Sequence, residues 1–200
     1  VTSRKLKLGE KRVMSQPEAQ VPGAAFRDVI RHLASGVTII TSSLKGEPVG
    51  LTATAVCSVS ATPPMLLVSV TTGSRTAEGI AETGVFAVHL LRHKNRGHAE
   101  QFASRGAHFE RVAYAMESKV PLLSDVLGWF LCEVEQTIPA ADHMIFVARV
   151  VRCGLEDRLP DPLLYFDRSY RKLSPVAEPG AENLEPWGSS QDAGLPGFGW

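Results

Sequence analysis

Gly36-Val37-Thr38-Ile39-Ile40-Thr41, followed by Lys45-Gly46-Glu47-Pro48, decides the fold class. The first run is β-branched almost throughout, which suits a pleated strand and crowds a helix. The second places Gly and Pro where a chain reverses. Strand-like runs follow at short intervals over residues 49–52, 56–60 and 65–70, the last entered through Pro63-Pro64. Strands so closely spaced leave no room for crossover helices, so the pattern predicts an antiparallel meander closing into a barrel or sandwich.

Outward from this core, Phe26, Val29, Ile30 and Leu33 recur at helical spacing and predict a short amphipathic helix that stops at Gly36. Residues 74–83 read as a second helix, with Ser74 as its N-cap and Gly84 as its stop. A strand is expected over 85–91 and a third helix over 95–103. The stretch from there to Gly128 carries no clear period. Strands are expected again over 129–138, 144–151 and 163–166. The fold expectation is mostly β, an antiparallel barrel with a few peripheral α-helices.

The chain has 200 residues, enough for one domain with its own core. Three parts are expected: a polar arm over 1–22, a globular domain over 23–173, and a Pro/Gly/Glu/Ser-rich extended tail over 174–200 with aromatics Trp187, Phe198 and Trp200. Twenty-one Lys plus Arg balance 21 Asp plus Glu. That balance argues against a nucleic-acid or membrane partner. No apolar run is long enough to span a bilayer and no secretory leader is visible, so a soluble, cytoplasmic protein is expected.

Other chemistries lack their motifs. No Gly-rich dinucleotide fingerprint follows a strand, no P-loop occurs, and no GxSxG elbow is present. His89, His93 and His98 sit without HExxH or a carboxylate pattern, and no metal site is expected. Cys57, Cys132 and Cys153 are widely spaced in apolar runs and are expected to be buried, reduced and inert.

Three segments remain. Gly50-Leu51-Thr52-Ala53-Thr54-Ala55-Val56-Cys57-Ser58-Val59-Ser60 combines small and hydroxylated residues, which let a flat ligand approach the backbone. Gly73-Ser74-Arg75-Thr76 at a helix start joins free amides, hydroxyls and a guanidinium, a pattern suited to phosphate. Ala141-Asp142-His143 lies between two late strands, with Asp161-Pro162-Leu163-Leu164-Tyr165-Phe166-Asp167-Arg168-Ser169-Tyr170 beyond it. Taken singly, each has an ordinary structural explanation.

Taken in order, they carry a resemblance. The chain from about Phe26 to Leu173 resembles the flavin reductase-like family, an FMN-binding split barrel that includes the reductase components of two-component flavin-dependent monooxygenases. The resemblance rests on Phe26-Arg27, Ala34-Ser35-Gly36-Val37-Thr38-Ile39-Ile40-Thr41, Gly50-Leu51-Thr52-Ala53, Ser58-Val59-Ser60 and Pro63-Pro64. It continues through Phe86-Ala87-Val88, Gln101-Phe102-Ala103, Asp142-His143 and Pro162-Leu163-Leu164-Tyr165 with Tyr170.

That resemblance implies an NAD(P)H:flavin oxidoreductase. Hydride would pass from nicotinamide C4 to flavin N5, FMN or FAD being the flavin and NADH or NADPH the co-substrate. It implies a homodimer with the flavin near the subunit interface, and a partner monooxygenase or halogenase that receives reduced flavin. Thr52, Ala53, Thr54, Ser58, Val59 and Ser60 would line the isoalloxazine and ribityl chain. Ser74 and Arg75 would meet the phosphate, with Phe102 and Ala103 closing that side. His143 would be the catalytic residue at the nicotinamide, and Arg168, Ser169 and Tyr170 would complete its pocket. Three positions depart from the family pattern: Ala141 and Ser169 stand where Gly is frequent, and His89 where Asn is. The alternative readings are a split-barrel electron carrier and a flavoenzyme acting directly on an organic substrate.

Overall fold

The computed structural model describes residues 21–104, 109–155 and 161–174. Most of the arm, and nearly all of the tail with its terminal aromatics, lie outside the described residues.

Strands β1 (Ser35–Gly36), β2 (Thr38–Leu44), β3 (Glu47–Ala53), β4 (Val56–Ala61) and β5 (Pro64–Thr71) form the first half. Helix α1 (Gly23–Ile30) precedes them and α2 (Arg75–Thr83) follows. Then come β6 (Val85–Leu90), α3 (Arg96–Ala103), β7 (Tyr114–Glu117) and β8 (Val120–Leu123). The long hairpin β9 (Gly128–Ala140) and β10 (His143–Leu155), and the short one β11 (Leu164–Phe166) and β12 (Ser169–Arg171), complete the described chain.

The main sheet has seven strands in the order β3-β2-β6-β9-β10-β5-β4, and its pairings are antiparallel. Its two edge strands, β3 and β4, are consecutive in sequence and joined only through Thr54 and Ala55. A two-residue link cannot span a flat seven-stranded sheet at about 4.8 Å per strand, so the sheet must curl until its edges meet. The edges converge without forming a ladder, which is what makes the barrel split.

Buried clusters cover both faces of the sheet. Inside the curl, Ile40, Val68, Ile80, Phe86, Val88 and Phe146 pack together, all fully buried. On the outer face of β2, Ile39 joins Val37, Leu91, Phe102, Leu123 and Leu163. Alternation sends Ile39 and Ile40 to opposite faces, and both faces are covered, so β2 is buried along nearly its whole length. Its hydroxyls are matched accordingly. The Thr41 hydroxyl donates to the Pro121 carbonyl at 2.6 Å, and that of Ser42 to Val85 at 2.8 Å.

Helix α2 follows its sequence reading closely. Ser74 accepts the Ala77 N–H at 3.2 Å as N-cap, and Gly84 ends the helix at φ 70°. The helix lies tight on β2: a β-carbon at Gly79 would stand 2.7 Å from the Ser43 carbonyl oxygen. Only the absence of a side chain permits that approach.

Other expectations need correction. Helix α1 ends at Ile30 rather than reaching Gly36, and it buries none of its own residues. The unreadable stretch before Gly128 holds the β7–β8 hairpin, and β12 was not anticipated. The cysteines are not alike. Cys132 is buried, its thiol pushed up to about 12 by desolvation, but Cys57 and Cys153 are exposed. Cys57 follows Val56, whose side chain packs on the core, so alternation along an edge strand turns the thiol outward. Among the described residues, no helix is long and apolar enough to cross a membrane.

Candidate functional site

A cavity of about 900 Å³ opens where three elements converge. Residues 47–51 of β3 form one wall. The turn Thr71-Thr72-Gly73 and the start of α2, Ser74-Arg75-Thr76, form a second. Phe102, Ala103 and Ser104 at the end of α3 form a third, with Phe109, Glu110 and Tyr114 beyond.

Each wall is held by a specific contact. The Thr52 hydroxyl donates to the Ala99 carbonyl at 2.7 Å and ties α3 to β3. Gly50 brings the β3 backbone against Phe102, whose ring is buried. At the start of α2 the Ala77 N–H is taken by the Ser74 side chain and the Glu78 N–H by the Ser74 carbonyl. The amides of Arg75 and Thr76 are the first-turn donors that have no acceptor within the helix. They sit beside the Arg75 side chain, which is exposed and forms no ion pair among the described residues. A helix N-terminus with an adjacent guanidinium, in a roomy cleft, fits a phosphate ester.

His143 stands at the margin of this cavity. It is the register partner of Thr71, and the neighbouring Thr72 N–H donates to the Asp142 carbonyl at 2.9 Å. Its Nδ1 donates to the Asp142 carboxylate at 2.8 Å, and its Nε2 lies 3.5 Å from the Thr71 hydroxyl. The hydrogen bond from His143 holds the Asp142 carboxyl below the usual carboxylate range. Donation from Nδ1 leaves Nε2 as the acceptor nitrogen of the neutral ring. The pair is carried by a two-residue turn in which Ala141 adopts φ 52°.

The structure thus gathers Ser74, Arg75, Phe102 and Ala103 around one cavity with His143 at its edge. Thr52 and Ala53 lie at the end of β3, next to the cavity-lining Leu51. Thr54, Ser58 and Val59 are exposed and Ser60 is half-buried. Because β4 ends the sheet, one row of its backbone groups has no strand partner among the described residues. A bulge between Ser58 and Ser60 puts Val59 out of register. Arg168, Ser169 and Tyr170 are placed elsewhere, at the β11–β12 turn. Their contacts run to Asp28, 3.9 Å from Arg168, and to Tyr165 and the Arg96 guanidinium, both against the Tyr170 ring. Burial raises the Tyr170 phenol above its ordinary range, with Glu100 adding to the effect.

Sequence reasoning missed Glu47, Phe109, Glu110 and Tyr114. Tyr114 reaches the cavity on the β7–β8 hairpin, whose Ser118-Lys119 turn has φ 47° and 69°. Both turn residues are left-handed, yet neither is the Gly or Asn that would have signalled the turn. His89, set aside as an ordinary histidine, is fully buried beneath this hairpin. It donates from Nδ1 to the Ile39 carbonyl at 3.0 Å and accepts the Leu123 N–H at Nε2 at 3.1 Å.

The chain is similar to known proteins along most of its length. A chain named flavin reductase (NADH) from Kitasatospora aureofaciens is 38% identical over 163 residues, covering 79% of this chain and 85% of that one. The reductase component of a 4-nitrophenol 4-monooxygenase/4-nitrocatechol 2-monooxygenase from Rhodococcus opacus is 36% identical, covering 72% and 77%. Among solved structures, the styrene monooxygenase flavin reductase of Pseudomonas putida S12 superposes with a TM-score of 0.68 at 31% identity, covering 76% and 98%. The family description "Flavin reductase like domain" matches residues 30–174, the greater part of the chain and all of the walls just described, and the protein belongs to that family.

Proposed function

We propose that the protein is an NADH-dependent flavin reductase that passes reduced flavin to a separate monooxygenase or halogenase. The observation that carries this reading is the convergence of the α2 N-terminus, the β3 backbone at Gly50 and the aromatic end of α3 on one cavity, with His143 at its rim. A bound flavin, taking hydride from the nicotinamide, supplies the redox chemistry.

The chain's own residues bind and position. The Arg75 side chain and the Arg75 and Thr76 amides hold the phosphate. The passage Thr52-Ala53-Thr54 and the open edge of β4 at Ser58, Val59 and Ser60 offer backbone groups to a polar heteroaromatic edge. Asp142 fixes the His143 ring, which covers and orients the nicotinamide. No side-chain nucleophile is required.

The reading includes a homodimer. Phe26, Val29, Ile30 and Leu33 expose apolar side chains along and just beyond α1, an array that water disfavours and a second subunit would cover. Arg168 lies beside that helix, 3.9 Å from Asp28, and with Ser169 and Tyr170 it would complete a nicotinamide pocket from the neighbouring subunit. Sedimentation of the purified protein distinguishes dimer from monomer.

The test of the activity is nicotinamide oxidation followed by absorbance, with NADH or NADPH and added FMN or FAD. Fast oxidation dependent on free flavin supports the reductase. A flavin that stays bound and is barely reduced points to an electron carrier instead.

A further inference from the structure

The segment that leads into β11 is sewn to the connection between β6 and α3. The Leu163 N–H donates to the Leu91 carbonyl at 2.8 Å, the His93 N–H donates to the Asp161 carbonyl at 2.8 Å, and Arg92 forms a β-bridge with Pro162. These backbone contacts fix where the β11–β12 hairpin stands relative to the first turn of α3. They leave the Tyr170 ring free to turn about its own side-chain bonds.

Two side chains bear on that ring. Tyr165, its register partner on β11, meets it edge to face with centroids 5.4 Å apart. From the start of α3, the Arg96 guanidinium lies over it, 5.5 Å from the ring centroid. The guanidinium is itself held: its Nε donates to the Glu100 carboxylate, one turn further along the helix, at 2.8 Å. The Arg96 side chain is 60% exposed, so this ion pair is screened by water and adds little to stability. What it fixes is direction. A planar cation held in one orientation presents a flat face, and the electron-rich face of a phenol ring lies against it.

We propose that Arg96, oriented by Glu100, is a positioning residue that sets the Tyr170 ring for the nicotinamide. The inference rests on the reading above that gives Tyr170 a place in the nicotinamide pocket. Arg96 acts through the ring and not on the dinucleotide itself.

The test is steady-state flavin reduction by the full chain, with NADH varied at saturating flavin. The variants are Arg96→Ala, Arg96→Lys, Tyr170→Leu and the double variant Arg96→Ala with Tyr170→Leu. Leucine keeps apolar bulk against the core and removes the ring. Loss of a cation from an aromatic face predicts a KM for NADH about three- to fivefold higher in Arg96→Ala, with flavin affinity unchanged. Arg96→Lys keeps the charge without the flat face, and its KM stays closer to that of Arg96→Ala than to wild type. In the Tyr170→Leu background, Arg96→Ala changes the KM by less than about 1.5-fold.

A wild-type KM in Arg96→Ala, full recovery in Arg96→Lys, or an equal effect with and without the ring overturns the positioning role. The last two results would assign Arg96 to direct attraction of the dinucleotide phosphates. A wild-type KM in Tyr170→Leu overturns the place of Tyr170 in the pocket as well, and absence of NADH-dependent flavin reduction in wild type overturns the whole reading. Should Tyr170→Leu fail to fold, the KM of Arg96→Lys set against that of Arg96→Ala decides alone.

Discussion

A β-carbon added to Gly50 would stand 2.8 Å from Cε1 of Phe102 and 3.1 Å from the Ile40 carbonyl oxygen. The strand and the ring are in contact because residue 50 has no side chain. Gly50→Ala therefore forces the buried Phe102 ring to move, and Phe102 closes the cavity. The expected outcome is a stability loss of about 1–3 kcal/mol, the usual range for overpacking, with about tenfold weaker flavin binding. Urea denaturation and a flavin titration on the same variant measure both. Unchanged flavin affinity would remove the α3 end from the site.

His143→Ala separates the two ligands. Its ring sits at the rim, tied to Asp142 and Thr71, and is not among the cavity-lining residues. The variant is expected to lose about tenfold or more in kcat/KM for NADH, through a higher KM or a lower kcat, with flavin affinity changed by less than about twofold. A large loss of flavin binding would show that the assignment to the nicotinamide is wrong.

His89 makes stability depend on pH. Burial lowers its folded pKa from 6.5 to about 4. Below pH 6.5 the unfolded chain takes up a proton that the folded chain refuses until about pH 4. The contribution is thus fully present above 6.5 and falls with pH by up to about 1.4 kcal/mol per unit, roughly 3 kcal/mol in all. His89→Asn offers one donor and one acceptor for the Ile39 and Leu123 backbone groups and does not titrate. Urea midpoints at neutral pH and at about pH 5 should differ markedly in wild type and much less in the variant. Equal shifts in both would assign the acid sensitivity to other groups.

Ala141 sits at φ 52° in the turn that carries Asp142 and His143. A left-handed alanine costs about 1–2 kcal/mol, partly offset in a glycine variant by the greater freedom of the unfolded chain. Ala141→Gly is expected to stabilise the protein by less than about 1 kcal/mol. The melting temperature reads this directly, and a fall would mean that the turn is held by contacts the alanine methyl makes.

Much of this architecture was legible in residues. Gly36 to Thr41 is β-branched, Lys45-Gly46 takes the left-handed turn its glycine signals, and Ser74 and Gly84 cap α2 as their chemistry dictates. These are local preferences, written within a few neighbouring residues. The β7–β8 hairpin was hidden because Ser118 and Lys119 hold a turn conformation that their types do not advertise. Helix α1 has the period of a half-buried helix and buries nothing within one chain. Cys57 and Cys153 lie in apolar runs, yet their burial depends on which face of a curled sheet they meet.

By itself the sequence determined most of the strands and the capped helix α2, and it marked Ser74-Arg75 and Asp142-His143 as candidate site residues. Only the tertiary structure decided that β3 and β4, adjacent in sequence, are opposite edges of one sheet. It alone placed Tyr114 and Glu110 in the cavity with Arg75 and Gly50, and set Tyr170 apart from His143. The reason is physical: strand identity comes from short-range sterics, but the curl of a seven-stranded sheet comes from the summed twist of its strands and the core they enclose.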